Sequence, residues 1–360
     1  MKISSFYGLT VKNLTLFFLL LVCFAFVSCN QDPIFYNISN EVAPIPPRIE
    51  GLTTDIVVKD DNLYVSTMGK RNIHQYKKDD GWDTAPPPNP GGTIRGLAAT
   101  SSHLYALTFD GIDPSGSKLK KYASGESWVD VVSTPYMQKV YAAGDRVFVW
   151  AGSNPGAGTL YYEEGGDLKS FPNSIGMLNG AVEGSDIYFL ACSDGIYTVG
   201  SSLDNLKKVI DGTILGIIKV GNRIVAAGRN SLYYNDSLSS TNFTPVSNFT
   251  CTGAMEVWED KDDKPALLLL GAKGSSTEYG YREIILTTEG ELDTTKLSAH
   301  QPGQGTLSTT NNYGQYHSSI GTHPIVSIRH FSGILFAGTN KNGLWSYRER
   351  NGDLQWNAEN

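Results

Sequence analysis

Three of the six histidines crowd into "YHSSIGTHPIVSIRH", as His317, His323 and His330. Imidazoles grouped like this are the usual raw material of zinc sites and of general acid–base pairs. The spacings of 6 and 7 residues put no two of them on one helical face, and no paired cysteines accompany them, so no metal is expected. The run "EDKDDK" at 259–264 collects carboxylates as a calcium loop does, but it lacks the turn glycine and the distal glutamate. It reads as a solvated turn. No G-x-S-x-G, phosphate-binding loop or dinucleotide fingerprint occurs, so no catalytic residue and no cofactor is assigned. Arg71, Arg95, Arg146, Arg223 and Arg229 are scattered through the chain without a shared motif.

The elements that must position these groups are short strands in a repeat. Seven apolar segments recur: "NLYVST", "HLYALT", "RVFVWAG", "DIYFLAC", "RIVAAG", "ALLLLGA" and "ILFAGT". Their spacing is near 40 residues for the first five intervals and nearly 70 for the last. Before each comes a small apolar strand and a polar turn such as "KDD", "AGD" or "FSG". After each comes a third strand with aromatic residues, such as "GIYTVG" or "SLYYND", then a short fourth segment such as "LKKV", "FTPV" or, in the sixth unit, "LDTT". Four short strands in about 40 residues is the arithmetic of a β-propeller blade, and seven units close a ring. The expected fold is all-β, a β-propeller of seven four-stranded blades. The blades are placed near 51–93, 94–137, 138–177, 178–213, 214–253, 254–323 and 324–360.

The long last interval contains a polar insertion, "KLSAHQPGQGTLSTTNNYGQYHSSIGTHP". Long loops on rigid scaffolds commonly carry binding. Its His300, Asn311, Asn312, Tyr313, Tyr316, His317 and His323 are the candidate binding residues. The stretches "FDGIDPSGSK" and "GSSTEYGY" leave their blades at the same edge and are read as further loops of one face. "CSDGIYTV" at 192–199 approaches the Asp-box turn of sialidase-like propellers, but its spacing differs and its tryptophan is missing, so it reads as an Asp-Gly turn. "GTNKNGLWSYRERNGDLQW" resembles repeats of bacterial sensor-type and lipoprotein propellers, without the signatures of WD40 or kelch blades.

Ahead of the repeat lies an address. Lys2 and Lys12 precede the apolar run "LTLFFLLLVCFAFV" at 14–27, the pattern of an export signal. At about 14 residues it is too short for a membrane-spanning helix, which needs about 20. The "FVSC" that follows resembles a bacterial lipobox, and the segment is similar to those of spirochaetal lipoproteins, which tolerate its Phe26. The resemblance implies cleavage after residue 28 and lipid on Cys29, with 29–50 as a short tether. Within it, "IFYNIS" at 34–39 is a possible edge strand fastening the last blade. Removing Cys23 with the signal leaves Cys29, Cys192 and Cys251, an odd count that a lipidated Cys29 explains; a Cys192–Cys251 bridge stays open.

A net charge of −7 argues against a nucleic-acid partner. The expected protein is an exported monomer, held to a bacterial membrane, periplasmic or at the cell surface, through its lipid. Its propeller is expected to bind a protein or glycan. The alternative is a carbohydrate-active hydrolase or lyase with carboxylates in the channel.

Overall fold

The computed structural model describes residues 49, 51–68, 73–83, 86–111, 113–131, 133–259, 266–272, 280–295, 297–299, 323–340, 342–350 and 353–359. The chain divides into Met1–Pro46 and Pro47–Asn360, and the described residues all belong to the second unit. Cys29, the segment 34–39 and the sixth blade's "GSSTEY" lie outside the described residues.

All regular structure among the described residues is β, in seven antiparallel sheets whose strands follow chain order. The first strand of each sheet touches the first strand of the next, and the seventh touches the first. This is the seven-bladed propeller that the repeat predicts. Six sheets have four strands and the sixth in chain order has three. There, the expected fourth strand "LDTT" shrinks to one bridge between Leu286 and Leu292. Asp293 explains the loss: its Oδ1 accepts the Thr295 N–H at 3.0 Å and the Thr295 hydroxyl at 2.7 Å. A side chain that satisfies the local backbone in this way competes with the ladder.

Second strands have apolar middles because each lies mid-sheet with both faces covered by neighbouring blades. Leu267–Gly271 is buried throughout. Between blades 3 and 4, Phe148 and Trp150 pack with Tyr188 and Leu190. Each such side chain contributes about 1.5–3 kcal/mol on burial. The two-residue turns Asp60–Asp61 and Ser332–Gly333 have positive φ at both positions. That matches the strand twist in tight hairpins and explains the Asp and Gly found before the second strands. "FDGIDPSGSK" is not a loop. Leu104–Asp110 and Asp113–Tyr122 continue their ladder out to an Asp110–Asp113 pair, giving a protruding hairpin.

The first strands are Thr53–Lys59, Thr93–Ala99, Met137–Ala143, Leu178–Glu183, Ile214–Val220, Met255–Trp258 and Ile325–Phe331. In blades 1, 2, 3, 4, 5 and 7 each shifts register against its second strand at the same height. In blade 6, Gly271 is bracketed by bonds to Thr252 and Ala254, with Gly253 between them at φ +101°. Each inner strand therefore carries one bulged residue: Thr54, Arg95, Gln138, Asn179, Leu215, Gly253 and Val326. A bulge re-aims the residues around it. Here it sets one residue per blade at a common level.

The ring closes between blades 7 and 1. The Ile49 N–H donates to Glu359 O at 3.4 Å, and Ile49 O accepts the Leu344 N–H at 3.1 Å. The fully buried Glu359 carboxylate receives Trp82 Nε1 of blade 1 at 2.6 Å, Arg348 Nη2 at 3.0 Å, and the Ser346 hydroxyl. Trp82 stands edge-on to Tyr76 and Phe336, so the seam is aromatic as well as ionic.

Candidate functional site

The seven first strands enclose a central channel of about 1160 Å³. Its wall follows from the bulge. Directly after the bulged residue, blades 2, 4, 5 and 6 present Gly96, Gly180, Gly216 and Ala254, which let the inner strands come close. Blades 1, 3 and 7 present Asp55, Lys139 and Ser327 instead. Two residues further on, Tyr141, Glu256 and Arg329 are polar on blades 3, 6 and 7. Blades 4 and 5 are apolar in both rows, with Val182 and Ile218 in the second. The channel has a polar arc and an apolar arc.

The polar arc is tightly organised. Asp55 of blade 1 reaches blade 2, where its Oδ2 accepts the Leu97 N–H at 3.0 Å. Burial pushes the Asp55 carboxyl up to about 6, against the opposing pull of Lys139, the Leu97 N–H and Arg329. Glu256 is raised by burial too, with Arg329 opposing. Arg329 Nη1 donates to Glu256 Oε2 at 2.9 Å, and its Nε donates to Ile56 O at 3.4 Å, so one guanidinium ties blades 6, 7 and 1. Tyr141 raises the Lys139 ammonium, burial opposes this, and Asp55 adds to it. Lys139 therefore stays charged. Burial lifts the Tyr141 phenol, with Lys139 opposing.

The shift on Asp55 has a stability consequence. Its folded value lies above the ordinary 3.8, so its contribution is fully present below about pH 4 and is lost as pH rises through about 6. The loss is up to ~3 kcal/mol. Asp55→Asn is expected to flatten melting temperature against pH between 4 and 7 relative to wild type. Parallel curves for the two proteins would refute the assignment.

Of the candidate loop, His300, Asn311, Asn312, Tyr313, Tyr316 and His317 lie outside the described residues. His323 is described, and the structure places it at blade 7. Asn342 Nδ2 donates to its Nδ1 at 2.9 Å, and its ring lies 6.2 Å from that of Trp345. Burial lowers its pKa. Trp345 Nε1 in turn donates to Asn342 O at 2.9 Å. The insertion joins the end of blade 6 to the first strand of blade 7.

Asp194 of "CSDGIYTV" is a bracket in a turn. It accepts from Gly176 N at 2.9 Å, Tyr197 OH at 2.7 Å and Lys208 Nζ at 3.0 Å. Burial works against its charge, but these donors outweigh it and lower its pKa. Cys192 and Cys251 are both free thiols.

In the sequence Arg95 is one of several scattered arginines, and no local motif marks Asp55, Lys139, Glu256 or Arg329. Stacking the first strands by their bulges puts "TTDIVVK", "MQKVYAA" and "IVSIRHF" in one register. Charged residues and Tyr141 then stand out in columns that are otherwise small or aliphatic.

No protein-family model matches the chain, and no curated protein matches it. Solved structures do. A GH74 enzyme of Niastella koreensis aligns with a TM-score of 0.59 at 12% identity, over 86% of this chain and 54% of that one. Virginiamycin B lyase from Staphylococcus aureus aligns with a TM-score of 0.55 at 11% identity, over 83% of this chain and 96% of that one. An extracellular domain assigned to a hybrid two-component system of B. thetaiotaomicron gives 0.53 at 11% identity, over 84% of this chain. This chain spans 38% of that protein's length. At such identities the likeness establishes the class, a β-propeller, and nothing finer. Among the described residues, no helix is long and apolar enough to cross a membrane.

Proposed function

We propose that this protein is an exported, lipid-anchored envelope lipoprotein of bacterial type whose monomeric propeller binds a glycan or a protein segment in its channel without turning it over. The observation that carries the binding reading is the state of the channel carboxylates. Glu256 is paired with Arg329, and Asp55 holds the Leu97 N–H. Glycosidases of the usual kind need two carboxyl groups facing each other across one scissile bond. These two are each engaged with the wall. A deep channel with one polar and one apolar arc suits a sugar, which has hydroxyl edges and an apolar face, better than a flat protein surface.

The test is to incubate the full-length protein in detergent with neutral and acidic oligosaccharides. Retention on the protein without new reducing ends or unsaturated products is expected. Product release in wild type, absent from Glu256→Gln, would decide for the hydrolase or lyase.

The anchor rests on "FVSC" and the apolar run before it. Lipid on Cys29 would hold the ring at a membrane, since each buried CH₂ contributes about 0.8 kcal/mol. Radiolabelled palmitate is expected in wild type and not in Cys29→Ser. Equal label in both would remove the lipoprotein reading and leave the channel reading untouched.

A further inference from the structure

We infer that the polar arc of the channel captures the carboxylate of an acidic sugar, with Arg95 and Lys139 as its cationic contacts and Tyr136 as a stacking platform at the mouth. This rests on the glycan-binding reading above and narrows it to one class of saccharide.

Arg95 is unlike the other polar bulged residues. Asn179 donates to Ile214 O at 2.7 Å, Gln138 donates to Gly152 O, and Thr54 bonds Ser66. Arg95 has no oxygen acceptor among the described residues. Its Nη1 faces Met68 Sδ at 3.6 Å, its guanidinium lies 5.3 Å from the centre of the Phe109 ring, and its buried Nε has no hydrogen-bond partner. Lys139, one blade on, has no carboxylate within ion-pair distance among the described residues, although Asp55 acts on it from further away. The two blades meet here: a methyl group on Gly96, the neighbour of Arg95, would come within 3.0 Å of Val140, the neighbour of Lys139. Both residues line the channel on adjacent blades, so the wall offers an incoming anion two cations that no bonded carboxylate neutralises among the described residues. Arginine in particular offers a planar fork that matches a carboxylate.

Tyr136 supplies the second, independent observation. It precedes the bulge of blade 3, is 42% exposed, and holds φ at +64°. A bulky residue in that region is strained, and the strain persists only where the surroundings impose it. Here the Tyr136 N–H donates to Pro114 O at 3.0 Å, and Tyr136 O accepts the Gly152 N–H at 3.0 Å. The Tyr136 backbone is thus fixed next to Pro114, which lines the channel. Rigid exposed aromatics serve as platforms for apolar faces, and a pyranose has one.

The choice of an acidic sugar over an acidic peptide follows from the mixed charge of the wall. Asp55 and Glu256 accept hydrogen bonds, and sugar hydroxyls donate them. A uronate brings one carboxylate for the cations and several hydroxyls for the acids. A peptide of glutamates brings only anions, to a wall with two carboxylates on a chain of net charge −7.

The test is calorimetric titration of the full chain in detergent with an oligogalacturonate, the same oligomer with its carboxyls reduced to alcohols, monomeric galacturonate and a polyglutamate peptide. The oligogalacturonate is expected to bind at least tenfold more tightly than the reduced oligomer, and to weaken as salt rises. Arg95→Gln and Lys139→Met should each lower its affinity tenfold or more at unchanged binding of the reduced oligomer. Tyr136→Gly relieves the backbone strain, so melting temperature should hold or rise while affinity for both oligomers falls severalfold. Monomer binding as tight as oligomer binding supports the inference and places the whole ligand in the channel. Equal affinity for the oxidised and reduced oligomers overturns the inference and leaves glycan binding standing. Polyglutamate bound as tightly as oligogalacturonate overturns the sugar class. Binding of none of the four overturns both the inference and the glycan reading.

Discussion

Glu359→Ala is expected to lower stability by about 3 kcal/mol, because it removes a buried carboxylate shared by the two ends of the ring. Glu359 is fully buried and takes Trp82 Nε1 from blade 1 together with Arg348 and Ser346 from blade 7. Truncation leaves a buried indole N–H and a hydroxyl without their acceptor and deprives Arg348 of its carboxylate, leaving it the bond to Tyr76. Each orphaned neutral donor costs about 1–3 kcal/mol, and an unpaired charge costs more. For a domain of this size the melting temperature should drop by roughly 5 °C. Glu359→Gln keeps an acceptor for Trp82 and should lose about half as much. Asp130→Ala is the control: its pair with Lys120 spans 3.1 Å at the surface, where such pairs contribute under about 1 kcal/mol. Melting curves of the three variants decide the matter. A Glu359→Ala protein that melts with wild type would show that the seam is held by its aromatic packing alone.

The second large effect lies on the apolar arc. Gly216→Ala is expected to cost about 3 kcal/mol or more, at the upper end for overpacking. A methyl group there would sit 2.1 Å from Gly253 O and 2.9 Å from Gly253 C. A methyl group on Gly253, at φ +101°, would in turn sit 2.1 Å from Leu215 O, so the two backbones face each other with no room for a side chain on either. Gly96→Ala meets side chains instead, Val140 Cγ1 at 3.0 Å and Asp55 Oδ2 at 3.5 Å, and these can turn aside. It should cost about 1 kcal/mol. Urea midpoints give the ranking. Gly216→Ala within 1 kcal/mol of wild type would mean that the inner strands of blades 5 and 6 can part freely.

The fold was legible because second strands advertise themselves. "ALLLLGA" and "DIYFLAC" are continuous apolar runs, since their place in mid-sheet allows no polar face. The fourth strands were less so, because an edge strand can be lost to a local side-chain bond, as Asp293 does in blade 6. The channel was not legible. Each blade gives it one or two residues, so Asp55 and Lys139 are 84 positions apart and form no local motif. The bulge also breaks the alternation of the inner strands, hiding which side chains face the same way. Length and polarity single out the insertion in the sequence, whereas the one candidate residue of it that is described, His323, is tied to Asn342. Arg329, a few residues on, is the residue that reaches the channel.

The shared level of the inner bulges makes the wall a circular word of seven letters: Asp, Gly, Lys, Gly, Gly, Ala, Ser. Each letter is carried by its own sheet, with its own hydrogen-bonded ladder and its own share of the core. One letter can be rewritten without disturbing the spelling of the rest, within the space its neighbours leave. Changes on well-separated blades should then add, to the extent that distant sites do. A lineage of such rings can try new ligands one position at a time, on a scaffold that keeps its shape throughout.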